Sequence, residues 1–281
     1  ESLKVAYIQP EEGELFYHLG LAQKALGQHE EAYRNFAQST WYYAWRSAGF
    51  FQLALMESNA GNYEKALEMI QKAYSTNNFD GSILVLYSAL LRKAGREEEA
   101  IERVEQLIDF DPINFAAYYE RDLITDRNSL AEMHDHMQDV ENNYLDMAVQ
   151  YMDAGMWRES IDLLSSLDRP TNPLIHYYLA QCYVSEGDAA HAEKHWEAAA
   201  RQSVDYCFPY REETIDILQL AIDRHDHNAK ALYLLGNLLY DKRPDDAMDA
   251  WEQALQKDDA FAMVWRNLAF GSFYFRNDVA Q

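Results

Sequence analysis

The sequence predicts an all-α chain, a right-handed superhelical solenoid of antiparallel helix pairs, and three observations predict it. One turn recurs at a fixed spacing. Gly27-Gln28-His29-Glu30-Glu31-Ala32, Gly61-Asn62-Tyr63-Glu64-Lys65-Ala66 and Gly95-Arg96-Glu97-Glu98-Glu99-Ala100 stand thirty-four residues apart. On either side of each turn, apolar residues recur at helical spacing. Finally, the chain carries only 11 Gly and 6 Pro and no Val/Ile/Thr-rich alternating run, which argues against strands. In the turn, glycine takes the left-handed conformation that ends one helix. Asn62 is placed to cap the next helix, and the small Ala66 lets two helices approach closely.

Residues 1–12 lead in, with Pro10 just before a helix, where proline is tolerated. A first pair lies near 13–40, with Leu15, Leu19, Ala22 and Leu26 facing Ala32, Phe36 and Ala37. A second lies near 47–75 (Phe50, Leu53, Ala54; Ala66, Ile70, Ala73). A third lies near 81–110 (Leu84, Tyr87, Leu91; Ala100, Val104, Leu107) and closes at Asp111-Pro112. The stretch 114–140 is irregular. A short helix near 114–123 breaks at Thr125-Asp126-Arg127-Asn128. A capping box at Ser129-Leu130-Ala131-Glu132 then opens a helix with Leu130, Met133, Met137 and Val140 on one face. Regular pairs resume near 141–167 and 173–201, with turns at Gly155 and Gly187. Near 203–226 an aromatic loop, Ser203–Tyr210, replaces a first helix and is followed by one helix. A pair near 229–256 has Pro244 in the first turn of its second helix. A terminal helix at 260–275 carries Phe270, Phe273, Tyr274 and Phe275.

This pattern resembles the tetratricopeptide repeat, a pair of antiparallel helices per thirty-four residues. The first unit supplies the family's large residue, Leu-Gly, turn glycine, alanine and aromatic as Phe16, Leu19-Gly20, Gly27, Ala32 and Phe36. A later unit supplies Leu235-Gly236, Ala247, Trp251 and Ala254. The resemblance covers nearly the whole chain, so 1–281 reads as one repeat solenoid. It implies a concave groove lined by first helices. The implied partner-binding positions are Tyr17, Leu21, Lys24, Phe51, Leu55, Asn59, Arg92, Tyr177, Gln181, Tyr233, Asn237 and Tyr240, with Val85, Leu145 and Val149 beside them. Tyrosine suits such a wall because it supplies contact area at low entropic cost. Two family specialisations are absent. Tyr17 and Leu21 stand where a carboxylate clamp would need Lys and Asn. The positions of a sugar-nucleotide transferase's asparagine ladder read His18, Gln52, Leu86, Asp146, Tyr178, Leu234 and Asn267.

The function expected from this is a non-catalytic interaction scaffold that holds an extended or helical peptide segment. The alternative is a C-terminal repeat module of a larger bacterial, carbohydrate-related protein, packed on its own further domain. The runs 235–242 and 264–269 look like such arrays, and Glu1 is not a start methionine. Self-association through the aromatic terminal helix is a third expectation. A formal charge of −23 repels phosphate backbones, so nucleic acid is not expected as a partner. No apolar run approaches the ~18 residues of a membrane span. A cytoplasmic location is favoured. Neither cofactor nor metal is expected. His191 and His195 stand four apart on a helix, while His134/His136 and His225/His227 splay at a spacing of two. Cys182 reads as a small buried hydrophobe, and Cys207, in the aromatic loop, as exposed. No nucleophile elbow, phosphate loop or HExxH helix occurs.

Overall fold

The computed structural model describes residues 13–125, 130–138, 140–224 and 228–276. Among them the chain is helical with no strand, and its contacts divide into two compact units, Glu1–Met156 and Trp157–Gln281. The expected lead-in with Pro10, the break at 126–128, Ser129 of the capping box and the histidines 225 and 227 lie outside the described residues.

Unit 1 contains α1 (Glu14–Ala25), α2 (His29–Ser39), α3 (Tyr43–Asn59), α4 (Tyr63–Thr76), α5 (Gly81–Lys93), α6 (Glu97–Phe110), α7 (Phe115–Thr125), α8 (Ala131–Met137) and α9 (Glu141–Asp153). Helices α1/α2, α3/α4 and α5/α6 pack as pairs, and each second helix packs on the next first helix. The recurring turn explains the regularity. Gly27, Gly61 and Gly95 have φ of 70°, 77° and 73°. In each turn the next amide reaches back to a carbonyl five residues earlier: Gln28 to Gln23 at 2.8 Å, Asn62 to Glu57 at 2.8 Å and Arg96 to Leu91 at 2.9 Å. Those bonds satisfy carbonyls that a helix end would otherwise leave open. The alanine five residues after each glycine (Ala32, Ala66, Ala100) is fully buried. Gly20 serves close packing, since a Cβ there would lie 2.7 Å from the Phe36 ring.

Three local expectations need correction. The Asn62 side chain does not cap α4; its Nδ2 donates to Glu57 Oε2 at 3.0 Å. Val140 is half exposed rather than on the buried face with Met133 and Met137, because Gln138 at φ 49° ends α8 before it. Cys207 is 3% exposed; its Sγ donates to Asn172 Oδ1 at 3.3 Å and so ties the loop back to the start of an earlier helix, Pro173–Ser185.

Unit 2 contains α10 (Trp157–Ser165), α11 (Pro173–Ser185), α12 (Ala189–Arg201), α13 (Glu213–Arg224), α14 (Ala229–Leu239), α15 (Pro244–Lys257) and α16 (Ala262–Gly271), which runs into a π-helical turn, Ser272–Arg276. Pairs α11/α12 and α14/α15 repeat the design of unit 1. Gly187 at φ 80° makes the same turn, and Pro244 sits in the first turn of α15. Gly236 repeats the role of Gly20, since a Cβ there would lie 2.3 Å from Trp251 Nε1. The irregular helix α13 packs on α11 and α14, both first helices, while α12 also touches α14. Residues 203–212 form the loop that frees α13 to take that place.

Candidate functional site

In unit 1 the first helices that should line an open groove meet the chain's own backbone. After α9, residues 153–156 cross the C-terminal end of α3. Ser58 Oγ donates to the Ala154 carbonyl at 2.7 Å, and Asn59 Nδ2 approaches the Asp153 carbonyl at 3.5 Å. Gly155 makes the crossing possible. It has φ 70°, and a Cβ there would lie 2.7 Å from Asn59 Cα, a backbone atom that cannot swing away. Its four sister glycines at 27, 61, 95 and 187 would meet nothing within 4 Å. A buried charge pair holds the other end of the crossing. Glu120 is fully buried, takes Arg92 Nε at 2.6 Å and accepts from the Tyr151 hydroxyl at 2.9 Å. Burial and the Glu120 charge hold the Tyr151 phenol well above its ordinary pKa. This network joins α5, α7 and α9 around a carboxylate that would be costly if unpaired.

The crossing splits the expected groove in two. On one side, α3, α5 and α9 border a cavity of about 200 Å³ lined by Phe51, Leu55, Val85, Val149 and Tyr151. On the other, a cleft of about 730 Å³ opens at the turn edge of the first two pairs, lined by Lys24, Tyr33, Met56, Asn59 and Lys65. The floor of this cleft is a polar cluster built on Glu57. Burial pushes the Glu57 carboxyl up, but hydrogen bonds from Lys65 (2.5 Å), Asn62 and Tyr33 outweigh it and leave the pKa lowered. Lys65 lies over the Tyr33 ring at 5.2 Å, a cation–π contact.

The expected groove residues therefore separate by environment. Lys24 and Asn59 line the cleft; Phe51 and Leu55 line the cavity, with Leu55 only 4% exposed. Tyr17 packs its ring against Phe36 and Trp45, and Leu21 packs on the same core. Arg92 is committed to Glu120. In unit 2 the inner tyrosines are core residues, which corrects their assignment to a partner-facing wall. Tyr177 is fully buried and donates to Asn228 Oδ1 at 2.7 Å. Its neighbour Tyr178 shares a 2.7 Å hydrogen bond with Thr214 of α13, and burial pushes its phenol up to about 12. Tyr233 is 5% exposed against Phe261. Asn237 accepts from Asn267 at 2.8 Å, and Tyr240 packs between Trp251 and Phe275. Gln181, half-buried, donates to Ser185 Oγ on its own helix. The cover on α11 is α13, whereas on α14 it comes from α15, α16 and the π turn after α16.

The described histidines do not assemble a ligand set. His191 is bound to Asp188 at 2.6 Å, and His195 pairs with His176 of α11, Nδ1 to Nδ1 at 3.0 Å; the His191 and His195 rings both stack on Tyr183. His134 meets the Tyr144 hydroxyl while His136 stacks on Tyr118. Among the described residues no three His, Cys, Asp or Glu side chains gather as a metal site would need. No described helix is long and apolar enough to cross a membrane.

The architecture is tetratricopeptide-like. The repeated turn, the buried alanines and the glycine–aromatic contacts carry that description. No family model matches the chain. Among solved structures it is similar to a tetratricopeptide repeat protein from Parabacteroides merdae, at 17% identity over 92% of this chain and 98% of that one, TM-score 0.42. It is also similar to the human IFIT1 dimer with PPP-AAAA (16%, 91% and 66%, TM-score 0.40). The TPR domain of P58(IPK) is a further likeness (12%, 96% and 67%, TM-score 0.37). These are loose likenesses of architecture, and what those proteins bind is theirs.

Proposed function

We propose that the protein is a non-catalytic scaffold that holds a segment of another protein, and that the turn-edge cleft of unit 1 is where it does so. The observation that carries this reading is the division of the expected groove. The crossing at 153–156 borders both an apolar cavity of about 200 Å³ and a larger cleft of about 730 Å³, edged by Lys24, Tyr33, Met56 and Asn59. The cleft combines an apolar wall with side chains of both signs over a polar floor, the make-up of a peptide-sized site rather than of a reaction centre. Its volume suits a few side chains of an extended or helical segment.

Selection of a displayed peptide library on the whole chain tests this. Selected peptides should lose at least about tenfold in affinity for Met56→Lys and Asn59→Trp, the loss of roughly 1.4 kcal/mol of contact, and should bind Trp265→Ala normally. Equal binding to the two cleft variants would remove the reading.

A second reading rests on α16. Trp265, Phe270, Phe273 and Tyr274 are 55–62% exposed on the last helix and the π turn after it. Such a face suits a second copy or another segment of a larger, bacterial protein. Sedimentation at several concentrations checks self-association, and a monomer at every concentration would discard it.

A further inference from the structure

The loop between α12 and α13 presents three aromatic rings to solvent, outside either cavity of unit 1. Tyr206, Phe208 and Tyr210 are 93%, 72% and 57% exposed, while Val204 and Cys207 are 4% and 3% exposed. Rings and anchors thus alternate along a short stretch. The anchors are specific. Cys207 is tied to Asn172, Gln202 Nε2 donates to the Pro170 carbonyl at 2.6 Å, and Lys230 donates to the Gln202 carbonyl. A loop held this way loses little conformational freedom when something docks on it.

Two observations specify what docks. Residues 203–216 carry four carboxylates, Asp205, Glu212, Glu213 and Asp216, against the single Arg211, in a chain with 47 acidic and 24 basic residues. The loop also already seats a cation on one of its own rings. The Arg211 guanidinium lies 4.1 Å from the Tyr210 ring centre, closer than the other described cation–ring contacts at 5.0–5.8 Å. Aromatic faces attract guanidinium and ammonium groups through the ring quadrupole. Nearby carboxylates steer cationic segments to the same place.

We propose that this loop is a docking site for an extended lysine- or arginine-bearing segment of another protein, whose cations seat on Tyr206 and Phe208 as Arg211 seats on Tyr210. The site is independent of the cleft in unit 1. It is tested with the whole chain by anisotropy of fluorescein-labelled octaarginine and octalysine in about 0.15 M salt, where attraction between distant charges is largely screened. Tyr206→Ala/Phe208→Ala removes the rings and leaves the charge untouched, so it separates ring contacts from general acidity. Losing two exposed cation–π contacts should weaken octaarginine binding roughly fivefold to thirtyfold. Tyr206→Trp should bind at least as tightly as the unaltered chain, because Trp is the best ring for this contact. Trp41→Ala, which removes an exposed aromatic elsewhere, should leave affinity unchanged. Circular dichroism should show the double variant folded. The proposal is overturned if the unaltered chain does not bind octaarginine, if the double variant binds it equally well, or if an uncharged Gly-Ser octapeptide binds with the same affinity.

Discussion

Unit 1 and unit 2 both cover part of their own first helices, and they secure the cover with different chemistry. Unit 1 uses backbone and charge: residues 153–156 lie on α3 through Ser58 and Gly155, and the ion pair of Arg92 with buried Glu120 receives Tyr151. Unit 2 uses a whole helix and neutral hydroxyls: α13 lies on α11, with Tyr178 on Thr214, and Tyr177 meets Asn228 beyond it. A charge in a low-dielectric interior is tolerated only while its partner remains, whereas a neutral hydroxyl pair can be replaced by apolar groups at little cost. The two units should therefore respond differently to the same kind of damage.

The largest expected effect is in unit 1. Arg92→Met strands the Glu120 carboxylate and should cost about 3–5 kcal/mol, measured by chemical denaturation. Arg92→Met/Glu120→Leu should recover much of that loss, because no buried charge is left. If the double variant is as unstable as the single one, the network does not carry the difference between the units.

Next is a contrast within one motif. Gly61→Ala should cost about 1–2 kcal/mol, the strain of a left-handed alanine. Gly155→Ala carries that strain and a collision with the Asn59 backbone, and should cost about 1–3 kcal/mol more. Equal losses would mean that the crossing yields easily.

Smaller again, Tyr178→Phe in unit 2 should cost about 1–3 kcal/mol by leaving the Thr214 hydroxyl short of a partner. Tyr178→Phe/Thr214→Val should return close to the original stability. Helicity should persist in both, since α11 keeps its apolar packing.

The smallest effect sharpens the comparison with pH. Burial first, then the positive charge of His176, His191 and Lys194, depresses the His195 pKa from 6.5 to about 4. The folded state keeps this ring neutral while the unfolded state protonates it. The contribution is therefore intact above pH 6.5 and is lost progressively as pH falls from 6.5 to about 4. His195→Gln should flatten part of the acid loss of stability in unit 2. Identical pH profiles for the variant and the unaltered chain would show that the imidazole pair does not contribute.

Much of the architecture is legible in the residues because it is local and repeated. A glycine that can adopt positive φ, an alanine five residues later and apolar positions at helical spacing specify a helix pair from nearest neighbours alone. The family resemblance also implied that the first helices form a groove wall, and there the structure differs. Nothing near Gly155 in the chain distinguishes it from Gly61. What separates them is that Asn59, ninety-six residues earlier, lies against it. Glu120 offered a weak sign, an acid among Ala and Tyr that needed a buried partner, but not which arginine would supply it. Cys207 read as exposed because its neighbours are, whereas its thiol is turned inward onto Asn172, thirty-five residues earlier.

The sequence alone determined the helical class, the turns and the pairing, because each depends on contacts a few residues apart, multiplied by repetition. The tertiary structure alone decided which faces remain open. That outcome depends on two irregular segments, 153–156 and 203–224, meeting helices far from them in the chain. Contacts of that kind are set by long-range packing and by the partners of buried polar groups, which no periodicity records.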